Sequence, residues 1–313
     1  MKKMIKIASI IIIVVLTILI GASFYFYSVA VERAPKDFLD DNPDLEVSSD
    51  HTLIYKGKEW LGRMPFEEIS ITSNDGLKLQ GYYLAAKKKT NKTVIIAHGY
   101  SAKAKDMARF ANFYHENLGY NVLMPDARGH GQSEGNYIGF GWHERKDYLK
   151  WIDLIIKQNG ENSEIALHGV SMGASTVLMT SGEKLPKQVK VVVADCGYTS
   201  AKGVLSYQLK RMYHLPSFPI IQSTSLMTKI RAGYSFEEAS ALEQAKKANI
   251  PILFIHGDAD TFVPVEMVHE LYKAAKTEKQ LYLVPGAEHG NAYDMNPTEY
   301  EQQVTTFINK YIQ

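Results

Sequence analysis

Ser171, in LHGVSMGAS (167–175), stands between Gly169 and Gly173 directly after an apolar run. A serine hydroxyl is a weak nucleophile, so it attacks a carbonyl only with a base in hydrogen-bond reach and a third group orienting that base. His289, in VPGAEHGNAY (284–293), follows the last expected strand by a short loop and precedes a helix, which leaves it free to hang over the sheet. HGDADTFVP (256–264) offers two carboxylates: Asp260 lies far enough into the loop to reach the histidine, whereas Asp258 is placed to shape the turn. Asp195, ending VKVVVADC (189–196), is a rival acid because that strand end faces the same side. The order serine, aspartate, histidine fits a nucleophile borne on a strand-to-helix turn and not the other serine hydrolase scaffolds. An oxyanion needs two donors: the N–H of Met172, first in the helix after the serine, and that of Tyr100, in the loop after TVIIAHG (93–99). The Tyr100 ring is also placed to line an acyl pocket.

Other reactive-looking residues have plainer readings. His98, His168 and His256 end buried runs before Gly or one residue from it and are expected to be structural or supporting. His130, in DARGHGQSEG (126–135), is expected to hold a turn with Asp126 and Arg128. Cys196 is read as a small buried residue, with a functional thiol near the site as the alternative. As the only cysteine it forms no internal disulfide, and no paired Cys/His spacing of a zinc site occurs.

A strand, a tight turn and a helix must carry Ser171, and the sequence supplies them. Short continuous apolar runs at 93–99, 121–127, 164–170, 189–196, 250–258 and 280–286 read as strands buried on both faces. Helical patterns lie near 103–118, 142–159, 172–183, 264–276 and 297–312, the last with Asn296 as N-cap, Pro297 at N1 and Glu299 at N3. Asn74-Asp75-Gly76 between two alternating runs marks a hairpin ahead of them. Alternation of this kind predicts an α/β fold, a doubly wound and mainly parallel sheet with helices on both sides. Within the motif, Gly169 and Gly173 suit the close approach that such a turn demands. Residues 197–248 interrupt the alternation at a strand end, where an insertion is placed to cap the ligand crevice. The insertion is rich in Leu, Ile, Met, Phe and Tyr, which suits either an acyl-binding lid or ordinary packing of a helical subdomain.

The amino end carries a separate signal. Lys2, Lys3 and Lys6 precede an uncharged, mostly apolar run, Ile7 to Val31, which as a helix at ~1.5 Å per residue exceeds a ~30 Å hydrocarbon core. The lysines favour a single-pass anchor with a cytoplasmic amino end and an extracytoplasmic domain, and Phe24 to Tyr27 would form an aromatic belt at the outer interface. The rival is a signal peptide cleaved after Ser28-Val29-Ala30, giving a secreted protein. Residues 32–66 read as a tether with room for one docking helix, leaving 67–313 as the main domain. Of 313 residues 45% are hydrophobic, enough for one large core, and a net charge of +1 with no dense basic run gives no footprint for a nucleic-acid partner.

HGYSAKAKD, PDARGHGQSEG, GVSMGAS, HGDADTFVP and AEHGNAY occur in the order and spacing of the α/β-hydrolase superfamily. Over about residues 60 to 313 the chain resembles bacterial membrane-anchored or exported serine hydrolases related to the Bem46-like and prolyl-oligopeptidase-like esterases. The resemblance implies Ser171 as nucleophile, His289 as base and then acid, Asp260 as its carboxylate, and the Tyr100 and Met172 N–H groups as oxyanion donors. It also implies about eight strands with the second antiparallel, and no metal or organic cofactor. The expected activity is hydrolysis of carboxylic esters of short or medium acyl chains, on a small-molecule or lipid ester. An exported peptidase, a lipid-ester hydrolase and a non-catalytic membrane-tethered binding protein are the alternatives.

Overall fold

The computed structural model describes residues 1–36, 39, 42 and 52–313, so the remainder of the expected tether lies outside the described residues. Eight strands form one sheet: β1 (Glu67–Thr72), β2 (Lys78–Leu84), β3 (Lys92–Ala97), β4 (Asn121–Pro125), β5 (Glu164–Val170), β6 (Val189–Asp195), β7 (Ile252–Gly257) and β8 (Lys279–Val284), in the order β1-β2-β4-β3-β5-β6-β7-β8. The hairpin expected around Asn74-Asp75-Gly76 joins β1 to β2, and β2 runs antiparallel to both its neighbours. The six continuous apolar runs form β3 to β8, all parallel.

Side chains alternate along these strands into two cores. Ile95, Ile165 and Leu167 point to a layer with Trp151 and Ile155 of α4 (Glu144–Asn159), Val177 of α5 (Met172–Ser181) and Leu271 of α9 (Glu266–Ala274). Val94, Ile96 and Ala166 point to the other, with Phe110 of α3 (Ala108–Asn112), and Tyr300 and Phe307 of α11 (Pro297–Ile308). The α11 cap is as expected: Asn296 Oδ1 accepts from the Glu299 N–H at 3.3 Å.

The helical pattern at 103–118 takes three forms instead of one, a 3₁₀ turn at Ala104–Met107, α3, and a π turn at Phe113–Asn117. Phe113, Tyr114 and His115 are all buried. Neighbours in a regular α-helix point about 100° apart, and a π turn, with more residues per turn, gathers three successive side chains into a narrower arc.

The insertion between β6 and β7 holds α6 (Ala201–Tyr213), α7 (Ser217–Ala232) and α8 (Ala241–Ala245). At the amino end, α1 (Lys2–Ala30) is a single helix long and apolar enough to cross a membrane. The Ser9 and Thr17 hydroxyls bond carbonyls one turn back, as polar groups in an apolar medium require. The last turns of α1 are not free chain. Ser23, Tyr27 and Val31 are buried, and α1 lies along α7. The start of the expected tether is likewise docked: Arg33 donates to the carbonyls of Ser133, Gly135 and Gly131, and the Ile138 N–H bonds the Val31 carbonyl at 2.7 Å. Only part of the expected aromatic belt is exposed, because the Phe26 ring packs edge-on against Tyr213 with centroids 5.2 Å apart. Within the tether, α2 (Thr52–Arg63) docks through buried Trp60, whose Nε1 donates to Glu116 at 3.0 Å.

Candidate active site

Ser171 sits at the turn from β5 into α5 with φ 57° and ψ −116°, a conformation that L residues adopt only under strain. Packing enforces it. A Cβ on Gly169 would overlap the Gly173 carbonyl, and one on Gly173 would overlap the Ala97 carbonyl at the end of β3. The Ser171 N–H donates to the Asp195 carbonyl at 2.8 Å, which ties the turn to the neighbouring strand. Met172 opens α5, so its N–H belongs to the unpaired first turn, and the Gly99–Tyr100 loop runs beside Ser171.

Three of the sequence candidates meet. His289 Nε2 lies 2.8 Å from Ser171 Oγ, and His289 Nδ1 lies 2.8 Å from Asp260 Oδ2. Asp260 Oδ1 accepts from the N–H groups of Phe262 and Val263, at 2.9 and 2.8 Å. Burial alone would raise this carboxyl, but the His289 charge and hydrogen bonds from His256 and His289 outweigh it and hold Asp260 well below the usual carboxylate range. A carboxylate of this kind stays ionised beside an imidazole and fixes its tautomer.

Asp195 is not brought to the histidine. Its Oδ2 accepts from the Tyr300 hydroxyl at 2.9 Å, its Oδ1 has no partner among the described residues, and burial pushes its pKa up to about 6. Asp258 accepts from the Gly286 N–H at 2.6 Å, joining the two loops that carry the acid and the base.

The supporting histidines hold loops. His98 Nε2 accepts from the Ala127 N–H at 2.9 Å, and His130 lies between the carbonyls of Arg128 and Tyr100 at 2.9 and 2.8 Å. Asp126 accepts from Ala104 and Gln132, while Arg128 makes paired bonds to Asp147 and Asp75. Together these fix the Tyr100 loop. His168 is buried between the hydroxyls of Tyr114 and Tyr300, and His256 donates to the Val263 carbonyl behind Asp260. Cys196 is buried against the Ser171 and Gly290 backbone, and desolvation pushes its thiol well above its usual value, as expected of a packed residue.

Sequence reasoning missed three groups. Arg109 donates to the Gly290 carbonyl at 3.0 Å and pairs with Asp294, which pins the histidine loop. The Phe262 ring stacks near His289, centroids 4.9 Å apart. The carboxyl end of α1 also reaches the site: the Tyr100 hydroxyl donates to the Ala30 carbonyl at 2.6 Å. Arg109 carries no local motif, Phe262 lies inside HGDADTFVP without standing out there, and the α1 contact arises from segments distant in sequence.

Beside Ser171 opens a cavity of about 100 Å³. Tyr100, Phe140 and Phe262 line it from the domain, Leu205 and Met212 from the cap, and Val29 from α1. Among the described residues that line it, none is Asp, Glu, Lys, Arg or His.

Comparison with known proteins agrees with this architecture. The model of the prolyl oligopeptidase family matches residues 107–313. The Bacillus subtilis protein YqkD is 33% identical over 238 residues, spanning 76% of this chain and 77% of that one. The putative esterase/lipase 3 of Mycoplasma pneumoniae is 26% identical over 226 residues, 64% of this chain and 80% of that one. Among solved structures, the Pyrococcus furiosus esterase Pf2001 superimposes with a TM-score of 0.64 at 26% identity, covering 80% of this chain and 92% of that one. With the eight-stranded sheet and the strained serine turn already in place, these matches carry the assignment: the chain belongs to the prolyl oligopeptidase family and is a hydrolase of the α/β-hydrolase fold.

Proposed function

We propose that the protein is a serine esterase that cleaves carboxylic esters of short or medium acyl chains, with Ser171 as nucleophile, His289 as general base then acid, and Asp260 as the orienting carboxylate. The observation that carries this reading is the unbroken hydrogen-bond relay Asp260–His289–Ser171, with both bonds at 2.8 Å. Ser171 Oγ attacks the ester carbonyl while His289 Nε2 takes its proton. The oxyanion is held by the N–H groups of Met172 and Tyr100, a pair of the kind whose loss typically costs about 3 kcal/mol each in transition-state binding. The imidazolium then protonates the leaving alcohol, and water activated by the same nitrogen releases the acid.

The cavity lining favours an ester over a peptide, because an apolar acyl chain fits walls that hold no charged group among the described residues and a peptide terminus does not. α1 serves as a single-pass anchor with its amino end in the cytoplasm, and the domain, about residues 67–313, lies outside the membrane on the opposite side. Hydrolysis of p-nitrophenyl esters from acetate to palmitate by full-length protein, beside Ser171→Ala, tests the activity. A chain-length optimum in the short-to-medium range and loss of about 10⁵-fold or more in the variant are expected. Retention of most activity by Ser171→Ala overturns the assignment.

A further inference from the structure

The carboxyl end of α1 forms part of the candidate site. Phe26, Val29 and Ala30 line the same cavity as Ser171, and Lys36 Nζ donates to the Val29 and Glu32 carbonyls, both at 2.8 Å, closing the end of the helix. Alongside it, α7 buries Ile221, Thr224, Ser225, Thr228 and Ala232 while packing on α1 and α6. Its other side is turned outward and carries exposed apolar side chains beside the exposed Lys229, which pairs with Glu238. Leu226 is 62% exposed and Ile230 73%, four residues apart on one face, and Phe218 at the start of the helix is 72% exposed. Arg231 lies at the carboxyl end of α7, next to Ile230, with its guanidinium 4.9 Å from the Tyr27 ring centroid.

α7 packs against α1, which is itself exposed and apolar over the turns before Ser23. A helix of that composition is covered by lipid, and an apolar stripe held beside its emerging end is placed against the same leaflet. Arg231 can reach head groups from there, as basic residues flanking membrane-facing helices do.

We propose that the cap rests on the leaflet from which α1 emerges, and that the substrate is an acyl ester dissolved in that bilayer, whose chain lodges between α1 and the cap with its carbonyl at Ser171. This rests on the esterase reading of Ser171 and narrows its substrate class. The step is ordinary acyl transfer: the Ser171 Oγ–acyl bond forms, the ester C–O bond breaks, and the serine proton passes through His289 to the leaving alcohol. It follows that α1 must remain attached, since cleavage after Ala30 would remove one wall of the cavity and the carbonyl that holds Tyr100.

The test uses full-length protein in phosphatidylglycerol vesicles containing a medium-chain diacylglycerol, with p-nitrophenyl butyrate in water as the soluble substrate. Leu226→Glu/Ile230→Glu changes only exposed cap residues outside the cavity. It is expected to lower diacylglycerol hydrolysis about tenfold or more while butyrate hydrolysis stays within about twofold of wild type, since removing two buried apolar side chains from lipid is worth at least one decade. Equal hydrolysis of the diacylglycerol by variant and wild type overturns the proposal, as does a parallel loss on both substrates. Absence of turnover of either ester by wild type overturns the esterase reading beneath it.

Discussion

At the residue scale the carboxylates divide the work, and the division is measurable. Asp260 holds His289 with one oxygen and is itself held by two backbone N–H groups, so Asp260→Asn is expected to lower kcat by about 10⁴ without loss of fold. Asp195→Asn is expected to keep activity within about tenfold; the reverse ranking would move the acid to Asp195. Asp195 instead affects stability. With its folded pKa raised to about 6, above the ~3.9 of an unfolded aspartate, the native state binds more protons between those values, so stability falls as pH rises from about 4 to 6. Asn cannot titrate, so urea unfolding should show the variant gaining roughly 3 kcal/mol relative to wild type across that window, whatever constant offset the amide brings. A pH-independent difference would contradict this. Ser171, His289 and Asp260 stood out as candidates because each closely follows a buried run, with turn chemistry around it. The sequence favours Asp260 over Asp195 because it lies far enough into its loop to reach the histidine, although two strand ends facing one site look alike. Arg109 was not legible, because nothing local marks a residue whose partner is far along the chain, and Phe262 lay inside a motif that drew attention only to its aspartates.

At the scale of elements, the parallel strands were legible from uninterrupted apolar runs, and the cap from the place where their alternation stops. The π turn at 113–117 was not, because it answers to burial on three successive residues and not to a propensity. The docking of the end of α1 was not legible: its apolar composition fits lipid and a cavity wall equally well, and only the meeting of Ala30 with Tyr100 distinguishes them. Val29→Trp fills the cavity from the α1 side. It is expected to lower kcat/KM for a medium-chain ester by about tenfold relative to acetate, as a cavity shortened by a few methylenes would. An unchanged chain-length profile would mean that α1 does not bound the acyl chain.

At the scale of the whole molecule, a hydrolase core common to its family is joined to a helix that can cross a bilayer, and the join is the site itself. The sequence contained both parts but not their contact, which depends on the last two turns of α1 lying along α7. The most direct measurement is fluorophosphonate labelling of full-length protein in isolated membranes, followed by an alkaline wash and mapping of the adduct by peptide mass. The account predicts one adduct, on Ser171, in a membrane-retained chain of full length, absent from Ser171→Ala. An adduct elsewhere, or labelling that survives in Ser171→Ala, would contradict it.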